Sequence, residues 1–168
     1  AEVDYVGAAA MRAMVAYTSP SATLSPEEAV AALDVASAGL WFMSESDVAL
    51  TVFALPAPSG AVTVGNAMAV LAEAAPIEVN ERAVEESDLA WFFDRTTVAQ
   101  DWWEPEQHEA AAQWQAVRDV FEDDLEGAQV FRIGRPSSWG LGGAIDVFVF
   151  GRASDGSLVG VYTVSVET

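Results

Sequence analysis

At 168 residues with 52% hydrophobic side chains, the chain carries enough apolar material for one domain with a true core. It holds 26 acids against 7 bases, every base an Arg, and a net charge of −19 argues against direct binding to nucleic acid or an anionic membrane. The lack of Cys removes disulfides, thiolate catalysis and Cys-ligated zinc; the compartment stays undecided, with a soluble, cytoplasmic setting slightly favoured. No apolar run reaches the ~20 residues needed to span a bilayer. No signal peptide shows, and a chain beginning at Ala1 is compatible with processing or trimming. The charge fits plain solubility, adaptation to high salt, or a basic partner that normally grips phosphates.

In chain order, Asp4–Thr18 is helix-compatible and Ser19-Pro20-Ser21 breaks it, so residues 1–25 are expected to form a helical arm ahead of a single domain over 26–168. Ser25-Pro26-Glu27-Glu28 starts a helix: a Ser cap, Pro in the first turn, and acids at the positive helix end. That helix should bury Ala29, Leu33, Ala36 and Leu40 and stop near Gly39. Next, Leu40-Trp41-Phe42-Met43 runs into Ser44-Glu45-Ser46-Asp47, which on its own reads as a buried helix end followed by a solvated, self-capping turn.

Leu50–Ala54 reads as a strand, Asn66–Ala75 as a helix with Met68, Leu71 and Ala72 inward, and Ile77-Glu78-Val79 as part of a short strand. Ser87-Asp88 can cap a short helix over Leu89–Arg95, with Trp91-Phe92-Phe93 in the core. Thr96–Glu106 is expected to be a loop that exposes Asp101-Trp102-Trp103. A longer helix follows to about Leu125, its buried stripe made of Trp114, Val117, Phe121 and Leu125, with Gly127 as the stop.

The last forty residues organise the rest. Gln129–Ile133, Ala144–Phe150 and Leu158–Val166 read as strands, the first two separated by a Gly/Pro/Ser-rich loop and the last two by Ser154-Asp155-Gly156, a hairpin signal. Ile145, Val147 and Val149 share one face of the middle strand while Phe148 and Phe150 take the other, so both faces call for cover. The fold class expected is α+β, with one mainly antiparallel sheet and helices on both faces.

Catalysis gains little support. The single His108 sits at a helix start, a usual surface position, and no second His is present for a metal site. Ser44, Glu45, Ser46 and Asp47 have no evident base to activate a hydroxyl. Gly140-Leu141-Gly142-Gly143 lacks the Lys and the helix of a phosphate loop. The chain is expected to be no enzyme and to need no cofactor.

Three stretches in order, GLWFMSESD from Gly39, DRTTVAQDWWE from Asp94, and Val130 to the closing Val166-Glu167-Thr168, resemble the nuclease A inhibitor-like family, from about Leu33 to the last residue. These are small acidic proteins that block a sugar-non-specific, magnesium-dependent DNA/RNA endonuclease. The resemblance implies an α/β/α sandwich, a basic endonuclease partner, and inhibition by occupying its active site. On this chain the metal-reaching C-terminal residue becomes Thr168, next to Glu167; the Glu of the Ser-Glu-Ser motif becomes Glu45, and the Asp-Trp pair becomes Asp101 and Trp102. The resemblance gives the chain no metal of its own, only contact in trans through Thr168, and a monomer is expected when free. The sequence departs from the family pattern at Val48-Ala49, where an aromatic and a Pro are expected, at an apparent insertion over Arg135–Gly143, and in its N-terminal arm. The alternative is a non-catalytic acidic interaction or structural module on the same fold, which would tolerate an extension beyond Thr168.

Overall fold

A computed structural model describes residues 23–168 apart from Val79. The expected helix over Asp4–Thr18, the break after it, and Val79 itself lie outside the described residues. The described residues form helices α1 (Pro26–Ser37), α2 (Ala67–Leu71), α3 (Leu89–Thr97) and α4 (Pro105–Asp119), the last running into a π turn over Val120–Asp124. Strands are β1 (Trp41–Met43), β2 (Asp47–Ala49), β3 (Thr51–Leu55), β4 (Ala83–Ser87), β5 (Glu126–Ser137), β6 (Gly140–Arg152) and β7 (Leu158–Glu167). The architecture is α+β. Strands β3-β7-β6-β5-β4 make a five-stranded sheet with every neighbour antiparallel, and β1 and β2 make a small second sheet.

Local chemistry fixes the helix starts. Ser25 Oγ accepts from the Glu28 N–H at 3.2 Å while the Glu28 carboxylate accepts from the Ser25 N–H at 3.0 Å, a reciprocal cap ahead of Pro26. Asp88 caps α3 by accepting from the Trp91 N–H at 2.8 Å. Arg118 joins α4 to α3, donating at 2.9 Å to Asp94 and at 2.9 Å to Glu122.

Both faces of β6 are buried, as its two-sided apolar pattern requires. Ile145, Val147 and Val149 join Val159 and Val161 of β7 in a cluster with Leu33 of α1, Phe92 and Phe93 of α3, and Trp114 of α4. Phe148 and Phe150 join Phe131, Phe53 and Leu158 in another, with Ala67 and Leu71 of α2. Each large side chain buried in this way contributes ~1.5–3 kcal/mol from water exclusion. Aromatic rings stitch the first cluster together: Phe42 stacks on Phe92 at 5.0 Å, and Phe92 meets Phe93 edge-on at 4.8 Å. In β7, Gly160 lies against β6 so closely that a Cβ would fall 1.9 Å from the Val149 carbonyl oxygen.

Several expectations change. Trp41–Met43 is a strand paired with Asp47–Ala49, not a helix end: α1 has stopped at Ser37, and Leu40 is buried from outside the helix. The run is short, and its pairing partner, not its own periodicity, decides its state. Ala36 is only half-buried. Helix α2 is shorter than expected, with Ala67 and Leu71 buried and Ala72 exposed. Ile77 and Glu78 lie outside any strand; the edge strand is Ala83–Ser87, whose acids hid it. The Gly/Pro/Ser stretch from Arg135 to Gly143 is not a loop but the far end of the β5–β6 hairpin, pairing Arg135 with Gly142, Pro136 with Leu141 and Ser137 with Gly140. Pro136 is tolerated because β4 has ended opposite Gly134, so this part of β5 has no neighbour on that side to receive an N–H.

Candidate functional site

Strand β7 outruns β3. Their pairing ends at Thr51 opposite Tyr162, leaving the β3 side of residues 163–168 unpaired by that strand. The β1–β2 hairpin takes over this edge. Thr163 Oγ1 donates to the Val48 carbonyl at 3.2 Å, the Val166 N–H donates to Ser44 Oγ at 2.9 Å, and the Glu45 N–H donates to the Val166 carbonyl at 3.3 Å. On its other side β7 stays paired with β6 as far as Glu167 opposite Gly143. Covering an otherwise open edge satisfies its backbone and orders the end of the strand.

The tip of the β1–β2 hairpin is Ser44-Glu45-Ser46. Ser44 Oγ holds the turn by donating to the Ser46 carbonyl at 3.1 Å, so its own hydroxyl ties the turn to β7. Glu45 then faces the last residue: its carboxylate accepts from the Thr168 N–H at 2.9 Å and from Thr168 Oγ1 at 2.7 Å. These two bonds, the backbone one foremost, hold the Glu45 carboxyl below its ordinary value of 4.5, because they stabilise the ionised form.

Glu167 points elsewhere. Its carboxylate accepts from Arg132 at 2.7 Å and from Ser165 Oγ at 2.8 Å. The Arg132 guanidinium also pairs with Glu85 and lies 4.6 Å over the Trp91 ring, tying the edge strand, α3 and the chain end together. Arg132 escaped the sequence reading. It alternates with the apolar Phe131 and Ile133, but only strand register places acids on both sides of it.

Asp101 and Trp102 sit on the loop between α3 and α4. Trp102 is 75% exposed and meets Trp103 edge-on at 6.2 Å, while Trp103 in turn meets His108 at 6.1 Å. No hydrogen bond, ion pair or ring contact among the described residues joins Asp101 or Trp102 to Glu45 or Thr168. Of the five expected site residues, then, Glu45 and Thr168 touch, Glu167 adjoins Thr168 but faces Arg132, and the Asp-Trp pair shares no hydrogen bond, ion pair or ring contact with Glu45 or Thr168 among the described residues. Among the described residues no group of three or more His, Asp or Glu is placed to hold a metal ion, and no helix is long and apolar enough to cross a membrane.

The arrangement holds Thr168 in one place. The last strand is gripped on both edges, and its final residue is locked by a glutamate from a distant hairpin. The chain belongs to the nuclease A inhibitor-like family, whose model matches residues 27–168. A search of the curated proteins found no match.

Proposed function

We propose that this protein inhibits a metal-dependent, non-specific DNA/RNA endonuclease by placing Thr168 in the enzyme's active site. The observation that carries the reading is the double hydrogen bond from Thr168 to Glu45. It fixes the chain end before any partner arrives, which lowers the ordering cost of binding. Magnesium is a hard ion that favours oxygen ligands and keeps positions open for a substrate phosphate. A terminal carboxylate and hydroxyl on Thr168 offer such oxygens with no bond to cleave. The family assignment supports the same reading.

The other residues have roles in this account. Glu45 positions Thr168 and, at the enzyme surface, is free to share its carboxylate with an Arg that otherwise holds a phosphate. Glu167 is held by Arg132 so that the residue after it leaves the sheet in one direction. Asp101 and the exposed Trp102 form a separate contact, with the indole as an anchor. The domain over 26–168, an α/β/α sandwich that is monomeric when free, brings its acidic surface to a basic cleft, and the net charge of −19 speeds the encounter.

The test is a titration of a magnesium-dependent, sugar-non-specific endonuclease with the intact protein. The reading expects cleavage to stop near one equivalent, with association slowed by added salt. Undiminished cleavage at a large excess of folded protein removes it and leaves the non-catalytic acidic module as the surviving function.

A further inference from the structure

The far end of the β5–β6 hairpin stands beside the chain end. Between them lies a groove of about 690 Å³, lined by Arg135, Pro136, Trp139 and Leu141 of the hairpin and by Glu167 and Thr168, among others. Trp139, at the tip, is 95% exposed. The tip is nonetheless fixed: Ser137 Oγ accepts from the Trp139 N–H at 3.3 Å and donates to the Gly140 carbonyl at 3.1 Å, and the arms beneath are paired. Arg135 is exposed and its guanidinium makes no hydrogen bond or ion pair among the described residues, whereas Arg82, Arg118 and Arg132 each hold a carboxylate.

We infer that this groove is a second docking surface for the same nuclease, with Trp139 as its anchor and Arg135 as its charge filter. The inference rests on the inhibitor reading, since Thr168 is part of the groove wall and a partner engaging Thr168 lies over the groove. An exposed indole carried on a hydrogen-bonded turn, beside Pro and Leu, supplies contact area from a backbone already ordered. A cation with no carboxylate partner among the described residues, on a chain of net charge −19, selects a carboxylate on the partner, on the rim of the basic cleft rather than within it. The occupant is therefore a rim segment of the nuclease carrying an apolar side chain next to an acid.

The experiment measures inhibition constants for the full chain, Trp139→Ala, Arg135→Glu and a chain lacking Glu167-Thr168, against a magnesium-dependent non-specific endonuclease. Thermal melts confirm folding, which neither exposed substitution should disturb. Trp139→Ala is expected to weaken inhibition at least about thirtyfold, the scale of an interface hot spot, and Arg135→Glu by about tenfold. If both variants match the full chain while loss of Glu167-Thr168 abolishes inhibition, the groove is not part of the interface and the inhibitor reading stands alone. If the full chain does not inhibit, both fall together. Sedimentation of the free chain closes the remaining case: a dimer that Trp139→Ala converts to monomer makes a second copy the occupant and overturns the inference.

Discussion

Glu45 and Thr168, 123 residues apart in sequence, are joined by two hydrogen bonds from the final residue to a single carboxylate, at 2.9 Å and 2.7 Å. Three contacts upstream, at Thr163, Ser44 and the Glu45 N–H, bring the two residues together by running the β1–β2 hairpin along the exposed edge of β7. The contact is thus a consequence of edge protection: the device that covers the open edge of β7 also fixes Thr168.

Glu45→Ala should free Thr168 without unfolding the protein, because the side chain is exposed. Hydrogen exchange at the Thr168 amide should rise while the urea midpoint falls only slightly, and nuclease inhibition should weaken by roughly tenfold, the scale of one charge-assisted bond. Unchanged exchange at Thr168 would show that Glu45 does not hold the end.

The same contact has a defined pH dependence. The folded-state Glu45 carboxyl lies below its ordinary value of 4.5, so its stabilisation is present above that value and is lost as pH falls through the lowered one. The Thr168 amide resonance, followed by NMR, should report a midpoint below 4.5. A midpoint at or above the ordinary value would contradict the assignment.

Asp146 is a buried carboxylate with two donors, Arg82 and the Tyr162 hydroxyl, each at 2.6 Å. Asp146→Ala would strand the Arg82 cation, whose side chain is only 10% exposed, and should cost about 3–5 kcal/mol in denaturant unfolding. Burial first, and then the bond to Asp146, raises the Tyr162 hydroxyl above its ordinary 10.0. Its contribution is therefore complete below that value and is lost as pH rises above it, the unfolded chain ionising first. Tyr162→Phe should reduce that alkaline loss of stability.

Arg132→Lys should not rescue Arg132→Ala. A point ammonium cannot span Glu85 and Glu167 while stacking on Trp91. Both changes should destabilise by about 1–3 kcal/mol, moderated by the partial exposure of the two acids, and both should loosen the chain end in hydrogen exchange. Recovery in the Lys variant would reduce the role of Arg132 to simple charge.

Gly160→Ala meets backbone rather than a yielding side chain, at 1.9 Å from the Val149 carbonyl oxygen. The cost should reach or exceed the ~1–3 kcal/mol usual for overpacking, because two strands must part. Thermal unfolding measures it directly.

What the sequence disclosed follows the range of the interactions involved. The Ser25 cap, the Asp155-Gly156 hairpin and the two-faced pattern of Ala144–Phe150 are local, and all three stand in the fold. Strand β1 was misread because four apolar residues carry no period; β7 and β2 decide its state. Strand β4 has no expectation set against it: its acids Glu85 and Glu86 break the apolar pattern and are answered only across the sheet, by Arg132 and Gln129 from β5. The hairpin arms over Arg135–Gly143 were hidden by a turn-like composition that their pairing overrides. Glu45, Glu167 and Thr168 were each singled out, but the Glu45–Thr168 contact and the Arg132 clamp depend on register across the sheet, which a single sequence does not display.

The central claim is that Thr168 is the blocking element. Its most direct test compares one-to-one nuclease inhibition by the intact chain, by a chain lacking Glu167-Thr168, and by a chain extended by a few residues beyond Thr168. The account predicts that the intact chain stops cleavage near equivalence and that both altered chains, though folded, fail to do so. Full inhibition by the extended or the shortened chain would contradict it.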